Sequence, residues 1–133
     1  METINVTAAI LEKDGNILIA KRKKGRHLEG KWEFPGGKME PDENPEECLK
    51  RELFEELSIQ TTIERFFAES RYDRIRLLAF IVRHISGEFI LNVHDEIRWV
   101  PLNEIDRYDF APADIPIVQK LKEEMPPLER QSC

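Results

Sequence analysis

The apolar and polar residues near the start of the chain alternate, which predicts a β-hairpin. Four apolar residues share one parity, namely Ile4, Val6, Ala8 and Ile10. A period of two is typical of a half-buried strand. The Asp14-Gly15 pair is a turn signal, and an apolar run over 17–20 follows it. The sequence therefore predicts two antiparallel strands within residues 4–22.

A helical repeat marks the middle of the chain. Its apolar stripe recurs every four residues, at Leu49, Leu53 and Leu57. Asn44 is a favoured N-cap residue, and Pro45 suits the first position of a helix. These signals predict a helix over residues 45–57.

Further apolar segments complete the predicted order of elements. Strands are expected over 59–70 and 75–84, with a short strand over 97–100. A second helix is expected over 114–124, with Asp114 as a candidate N-cap. This order favours an α+β or α/β sandwich around a mixed sheet.

Composition and charge narrow the class of protein. The chain has 133 residues, of which 41% are apolar and 35% are charged, as expected for one globular domain over 1–133. The formal net charge is −6. Domains that bind nucleic acid polymers are usually basic, so such a partner is not expected. A small phosphorylated ligand remains compatible with this charge.

The sequence contains no pattern typical of export or membrane insertion, so a cytoplasmic location is expected. The longest purely apolar run, over 77–82, is far shorter than the ~20 residues of a membrane span. The first residues lack the basic region of a secretory signal, so neither export nor a membrane partner is expected. Cys48 is expected to be a small buried residue. Cys133 is expected to lie in a frayed tail over about 126–133.

The negative charge is concentrated in one stretch of the chain. Residues 40–56 contain eight acidic and two basic residues, whereas the remaining chain is neutral. On the predicted helix, Glu52, Glu55 and Glu56 fall within about 100° of one another around the axis. Such carboxylates repel each other, so this is either a solvated acidic face or a site for a hard divalent cation.

The spacing around this helix matches a known motif, G-x5-E-x7-R-E-U-x-E-E-x-G-U, in which U is bulky and apolar. The matching residues are Gly37, Glu43, Arg51, Glu52, Glu55 and Glu56, with Leu53 and Ile59 at the U positions. This is the Nudix box, here spanning residues 37–59. Ser58 replaces its last glycine, at a position where positive φ is common, and costs ~1 kcal/mol there. The change removes no ligand, so the site is expected to be intact.

The chain as a whole resembles the MutT-like branch of the Nudix hydrolases. The segments 30–38 and 111–116 look like theirs, and the resemblance covers about residues 4–124. It implies a Nudix α/β/α sandwich with a mixed β-sheet, in which the box forms a loop–helix–loop catalytic motif. It also implies cleavage of a nucleoside diphosphate linked to another group, with Mg²⁺ as cofactor and Mn²⁺ as a possible substitute.

The resemblance also implies roles for individual residues. The implied metal ligands are the Gly36 carbonyl, Glu52, Glu55, Glu56 and, from a later loop, Glu96. Glu52 is the leading candidate to orient or deprotonate the attacking water, and Arg51 is expected to orient the catalytic carboxylates. Glu43 and Gly37 are expected to be structural. His94 is expected to be a surface residue without a role.

Substrate contacts are implied for four residues. Arg22 and Lys38 are candidates for the phosphates, and Phe34 and Asp114 for the base. Relatives that act on oxidised guanine can carry Asn where this chain has Asp114, whereas relatives that act on cytosine nucleotides carry Asp. A carboxylate accepts from the N–H groups of either base, so the base remains open.

The resemblance implies hydrolysis of (deoxy)nucleoside triphosphates to a monophosphate and pyrophosphate. The best single substrate is an oxidised purine such as 8-oxo-dGTP, which would make the protein a nucleotide-pool sanitising enzyme that limits mutation. The alternative is a pyrophosphohydrolase of CTP, dCTP or a modified pyrimidine triphosphate. A catalytically inactive Nudix binding module is less expected, because all four glutamates of the box are present. A monomer or homodimer is expected.

Overall fold

A computed structural model describes residues 2–124 of the chain. Six strands and two α-helices are present in this part. The strands are β1 (Ile4–Lys13), β2 (Asn16–Arg22), β3 (Trp32–Glu33), β4 (Gln60–Tyr72), β5 (Ile75–Ser86) and β6 (His94–Pro101). The helices are α1 (Pro45–Leu57) and α2 (Ile115–Glu124), and short 3₁₀ helices cover Leu102–Arg107 and Pro112–Asp114. The predicted tail over 126–133 lies outside the described residues.

The strands form a mixed sheet whose main order is β3-β2-β1-β5-β4, with β6 on the other edge of β2. Strand β1 runs parallel to β5 from Ile4 to Leu11, and β4 is antiparallel to β5. The predicted hairpin is present only at its turn, where Glu12 and Lys13 pair with Ile17 and Asn16. Beyond the turn β1 and β2 separate, because β1 takes β5 as its partner and β2 pairs with β6.

Two hydrophobic layers enclose this sheet, one on each face. The stripe Leu49, Leu53 and Leu57 of α1 packs with Ala9 and Leu18 on the first face. Residues Ile117, Val118 and Leu121 of α2 pack with Ile10 and Ile19 on the other face. Neighbouring strand residues point to opposite faces, so each helix covers one of them. The predicted α/β/α sandwich is confirmed.

Helix α1 begins and ends at the predicted residues. The side chain of Asn44 accepts a hydrogen bond from the Glu47 backbone, and the Glu47 side chain accepts one from the Asn44 backbone. This capping box fixes the start of the helix. At the other end, Ser58 adopts the left-handed conformation, with φ 62° and ψ 31°. The positive φ expected where the box has its last glycine is therefore present.

The segment before α2 differs from the prediction. The α-helix begins at Ile115, and Asp114 belongs to the preceding 3₁₀ helix. The Asp114 carboxylate contacts the backbone of Phe34 across the fold, so it does not serve as the expected cap of α2. None of the helices within residues 2–124 is long and apolar enough to cross a membrane.

Candidate active site

A cavity of about 530 Å³ lies where α1 meets the loop that follows β3. Its lining brings together several residues that the sequence singled out, namely Arg22, Gly36, Gly37, Lys38, Glu52 and Glu56. They come from the end of β2, from the Pro-Gly-Gly loop and from one face of α1. We call this the reaction cavity. Its lining combines carboxylates with cationic side chains.

Arg51 organises the acidic residues beside this cavity. Its guanidinium forms a two-point ion pair with Glu43, in which Nε lies 2.5 Å from Oε2 and Nη2 lies 2.9 Å from Oε1. Nη1 also donates to Glu52 at 3.0 Å and to Glu55 at 3.1 Å. Because Arg51 contacts both carboxylates, it fixes their orientation. The ion pair between Arg51 and Glu43 raises the pKa of Arg51 and lowers the pKa of Glu43 to about 2.

Glu43 stabilises the loop before α1 and is not part of the lining of the reaction cavity. Its Oε1 atom accepts a hydrogen bond from the backbone N–H of Glu40 at 3.0 Å. The same carboxylate holds Arg51, whose Nη2 donates to the Lys38 carbonyl at 3.3 Å. The loop and the helix are therefore tied together through one ion pair.

Glu56 is the most perturbed carboxyl group of the cavity. Burial, together with the hydrogen bond and negative charge of Glu52 and the charge of Glu33, raises the pKa of Glu56 to about 9. The backbone N–H of Gly36 acts in the opposite direction. Oε1 of Glu56 is buried and has no hydrogen-bond partner among the described residues. A buried carboxylate oxygen without a partner is costly unless a cation compensates it.

The two glycines of the loop are required by close approach. A Cβ atom at Gly36, which has φ 155°, would lie 2.1 Å from the carbonyl oxygen of Thr7. A Cβ atom at Gly37 would lie 2.3 Å from Cδ of Glu52. Gly36 therefore lets the loop pack on β1, and Gly37 leaves room for the carboxylate of Glu52.

The donor set of the reaction cavity fits a hard divalent cation. The partnerless oxygen of Glu56 and the neighbouring Glu52 offer the oxygen ligands that such cations take. No group of three His, Cys, Asp or Glu side chains within residues 2–124 is arranged to hold a metal ion by itself. Magnesium commonly binds one or two carboxylates, with water and substrate phosphates as its other ligands.

Two predicted ligands lie outside the reaction cavity. Glu55 is not part of its lining, and its half-exposed carboxylate pairs with Arg51. Glu96 pairs with Arg98, whose guanidinium lies over the rings of Trp32 and Tyr108 at 5.5 and 5.8 Å. Glu96 thus belongs to a surface ion pair in this structure. Its proposed metal contact stays a prediction.

A second cavity, of about 450 Å³, adjoins the first, and we call it the recognition cavity. Its walls include Phe34, Leu77, Tyr72 and the segment 111–114. Phe34 is buried and packs against Phe110 with 5.4 Å between the ring centroids. A cavity that combines apolar and aromatic walls with convergent polar groups is typical of a small-molecule site.

Asp114 is a buried carboxyl group in the wall of the recognition cavity. It is 6% exposed, and its Oδ2 atom accepts a hydrogen bond from the backbone N–H of Phe34 at 2.9 Å. Burial and the negative charge of Glu33 raise the pKa of Asp114 to about 8, against the lowering effects of the Phe34 N–H and Arg22. Near neutral pH the free protein therefore holds this carboxyl group mainly in its protonated form.

Arg22 and Glu33 line both cavities and join them. Nη1 of Arg22 donates to Oε1 of Glu33 at 2.9 Å, and Nε donates to the His27 carbonyl at 2.8 Å. A ligand that occupied both cavities would therefore pass Arg22 at their junction.

Sequence reasoning missed Glu33 and His94. The expectation of a surface position for His94 is wrong, because the residue is only 7% exposed and its Nε2 lies 2.9 Å from Oε2 of Glu33. The period-two pattern of a strand could have indicated burial, but a bulge opposite Lys21 and Arg22 interrupts that period. Glu33 lies between Trp32 and Phe34 in the segment 30–38, and no local signal marks its contacts.

Comparison with known proteins identifies relatives that match nearly the whole chain. The model of the NUDIX domain matches residues 1–121. The CTP pyrophosphohydrolase of Escherichia coli is 40% identical over 123 residues, covering 90% of this chain and 91% of that protein. The 8-oxo-dGTP diphosphatase of the same organism is 32% identical over 127 residues, covering 92% and 98%.

Solved structures show the same architecture. The solution structure of the E. coli ORF135 protein has a TM-score of 0.83 and 38% identity, covering 96% of this chain and 95% of that one. The crystal structure of the MutT protein from Methanosarcina mazei Go1 has a TM-score of 0.79 and 25% identity, covering 94% and 96%.

Proposed function

The chain belongs to the NUDIX family of hydrolases, whose members generally need a divalent metal, and we propose that it uses Mg²⁺ to hydrolyse (deoxy)nucleoside triphosphates. The products would be a nucleoside monophosphate and pyrophosphate. The observation that supports this most is the partnerless carboxyl oxygen of Glu56, in a cavity that continues into a second cavity with the aromatic wall of Phe34 and the carboxyl group of Asp114. One end of this combined site suits phosphates and a cation, and the other suits a base.

The cation would be held by Glu52, Glu55, Glu56 and the carbonyl of Gly36, with Mn²⁺ as a substitute for Mg²⁺. When bound, it lowers the pKa of water and neutralises charge on phosphate oxygens. Glu55 would have to leave Arg51, which its exposed position permits. The raised pKa of Glu56 means that cation binding would displace a proton from this carboxyl group.

The chemical step would be attack of water on the β-phosphorus. A new P–O bond forms there, the bond to the oxygen bridging the α- and β-phosphorus breaks, and the monophosphate leaves with that oxygen. Glu52 would orient the water and accept its proton, with Arg51 holding the carboxylate in place at 3.0 Å. Arg22 and Lys38 would contact the phosphate chain, since both line the reaction cavity.

For the base, we propose an oxidised purine such as 8-oxo-dGTP. Phe34 would provide an apolar wall, and Asp114 in its ionised form would accept from N–H groups of the purine, so this substrate would displace the proton that the carboxyl group holds in the free protein. The same carboxyl group in its neutral form both donates and accepts, which also suits the N3 and 4-amino groups of cytosine. The 40% identical CTP pyrophosphohydrolase favours this second candidate substrate, CTP.

The proposed partner is a small nucleotide rather than a nucleic acid polymer, consistent with the net charge of −6. An enzyme of the nucleotide pool works where nucleotides are made and used, so we place it in the cytoplasm.

A substrate panel tests this proposal. Pyrophosphate release with Mg²⁺ would be measured for 8-oxo-dGTP, dGTP, CTP, dCTP, 5-substituted pyrimidine triphosphates and ADP-ribose. A kcat/KM at least 100-fold higher for 8-oxo-dGTP than for dGTP supports the oxidised purine, and a lead for CTP replaces it with the pyrimidine. No pyrophosphate from any triphosphate would overturn the proposed activity.

A further inference from the structure

A chain of hydrogen bonds connects His94 with Arg22 through Glu33. Each carboxylate oxygen of Glu33 has one of these partners, with Nε2 of His94 at 2.9 Å from Oε2 and Nη1 of Arg22 at 2.9 Å from Oε1. The Glu33 carboxylate is paired with Arg22 and acts as an acceptor, so we assign the hydrogen of this contact to Nε2 of His94. Each carboxylate oxygen of Glu33 is thus held by a hydrogen bond from a neighbouring side chain.

The strand geometry brings these three residues to one place. Glu33 lies on β3, on one edge of β2, and His94 lies on β6, on the other edge. Lys21 pairs with Glu96 and Arg22 pairs with His94, so Asp95 is the extra residue of a bulge. The bulge sets His94 directly opposite Arg22. Bulges commonly redirect a side chain beside a functional site.

The burial of His94 points to a role for its Nε2 atom. The side chain is 3% exposed, whereas those of Glu33 and Arg22 are 18% and 30% exposed. Its Nδ1 atom is buried and has no partner within residues 2–124, so the polar contact of the ring is made through Nε2. The exposed end of the chain is Arg22, at the junction of the two cavities.

We propose that His94 is a positioning residue for Arg22, acting through Glu33, so that the guanidinium is held ready for the phosphate next to the nucleoside. This inference rests on the proposed function. Without the donor of His94, Oε2 of Glu33 would lose its partner and the carboxylate could turn away from Arg22. Substrate binding would then weaken because the arginine must be ordered as the ligand enters.

Two substitutions separate the hydrogen bond from packing. In His94→Gln the side-chain amide nitrogen can reach the place of Nε2, whereas in His94→Asn the amide is too short to reach Glu33. We expect His94→Asn to raise the KM for the best triphosphate of the substrate panel at least tenfold, with kcat within about threefold of the wild type. We expect His94→Gln to stay within about threefold in KM. The exposed His84 provides the matched controls, His84→Gln and His84→Asn, which should leave KM unchanged.

A double mutant tests whether the effect passes through Arg22. In an Arg22→Ala background, His94→Asn should raise KM by less than about threefold, since the side chain that it positions is gone. Equal KM values for the Gln and Asn variants, or the full tenfold effect without Arg22, would overturn the inference. Glu33→Gln, which leaves one acceptor oxygen, is a second variant in case His94→Asn does not fold, and an unchanged KM there would also overturn it.

An NMR measurement distinguishes this inference from the proposed function. If the wild-type protein releases no pyrophosphate, the proposed function fails. The Nη–H signals of Arg22 in the free, ¹⁵N-labelled protein at low temperature still test the positioning, because Nη1 donates to Glu33. They should keep their wild-type chemical shifts in His94→Gln and move or broaden in His94→Asn. Identical spectra for the two variants would overturn the positioning role.

Discussion

A Cβ atom at Gly37 would lie 2.3 Å from Cδ of Glu52, so the side chain of Glu52 occupies space that only glycine leaves free. The neighbouring Gly36 meets backbone instead, since its Cβ would lie 2.1 Å from the Thr7 carbonyl oxygen. The first clash can be relieved by rotating a side chain, and the second requires the backbone to move.

Substitution of Gly37 should therefore affect activity, whereas substitution of Gly36 should affect stability. We expect Gly37→Ala to fold with a free energy of unfolding within about 1 kcal/mol of the wild type, but to lose at least 10²-fold in kcat because Glu52 is displaced. Gly36→Ala should lose about 3 kcal/mol or more of stability. Urea unfolding and pyrophosphate release measure both. A Gly37→Ala variant with full activity would show that Glu52 is not needed where it lies.

Glu56→Gln should stabilise the metal-free protein and inactivate it. The pKa of Glu56 is raised to about 9 from 4.5, so between these values the folded state binds more protons than the unfolded state. Its contribution to stability is therefore full below pH 4.5 and falls as the pH rises towards 9. The glutamine amide does not ionise, so Glu56→Gln avoids this loss of stability at high pH.

Thermal unfolding in EDTA between pH 5 and pH 9 measures this effect. The gain in melting temperature for Glu56→Gln should grow with pH, and Mg²⁺ should raise the melting temperature of the wild type but not that of the variant. We expect turnover to fall at least 10²-fold. A near-wild-type rate would contradict the role of Glu56 as a metal ligand.

The left-handed Ser58 makes a further prediction. Its hydroxyl oxygen accepts a hydrogen bond from Nδ2 of Asn92 at 3.2 Å, and the same amide donates to the Glu55 carbonyl at 2.9 Å. Ser58→Ala and Ser58→Gly both lose the hydroxyl, but only glycine removes the cost of positive φ. We expect Ser58→Gly to be about 1 kcal/mol more stable than Ser58→Ala in urea unfolding. Equal stability would contradict the left-handed backbone at this position.

Asp114 should control the choice of base more than the rate of the chemistry. We expect Asp114→Ala to reduce the kcat/KM ratio between the best and worst bases at least tenfold, while kcat on dGTP changes less than about threefold. Asp114→Asn is the matched control, because its amide oxygen can still accept from the Phe34 N–H, whose loss would cost about 1–3 kcal/mol. An equal loss on all bases would assign Asp114 a purely structural role.

Much of the fold follows from local pattern. The leucine stripe and Asn44-Pro45 predict α1 to the residue, because a capping box and a four-residue repeat are both local signals. The parallel pairing of β1 with β5 is not local, so the predicted hairpin extends too far. The two-residue strand β3 is too short to produce a pattern.

The candidate site was predictable where a motif fixes spacing and not where the tertiary fold brings residues together. The box places Glu52, Glu55 and Glu56 on one helix face, and the spacing of Arg51 brings it within reach of Glu52 and Glu55 on the same helix. Glu33 and His94 are 61 positions apart, and their contact depends on a bulge in β6. No single-sequence pattern contains that information.

The central claim is tested most directly by identifying the products of one triphosphate turned over in H₂¹⁸O, with Mg²⁺ and with EDTA, by ³¹P NMR. The account predicts a nucleoside monophosphate and pyrophosphate with Mg²⁺, the label in the pyrophosphate, and no turnover in EDTA. A nucleoside diphosphate with free phosphate, label in the monophosphate, or equal turnover in EDTA would contradict it.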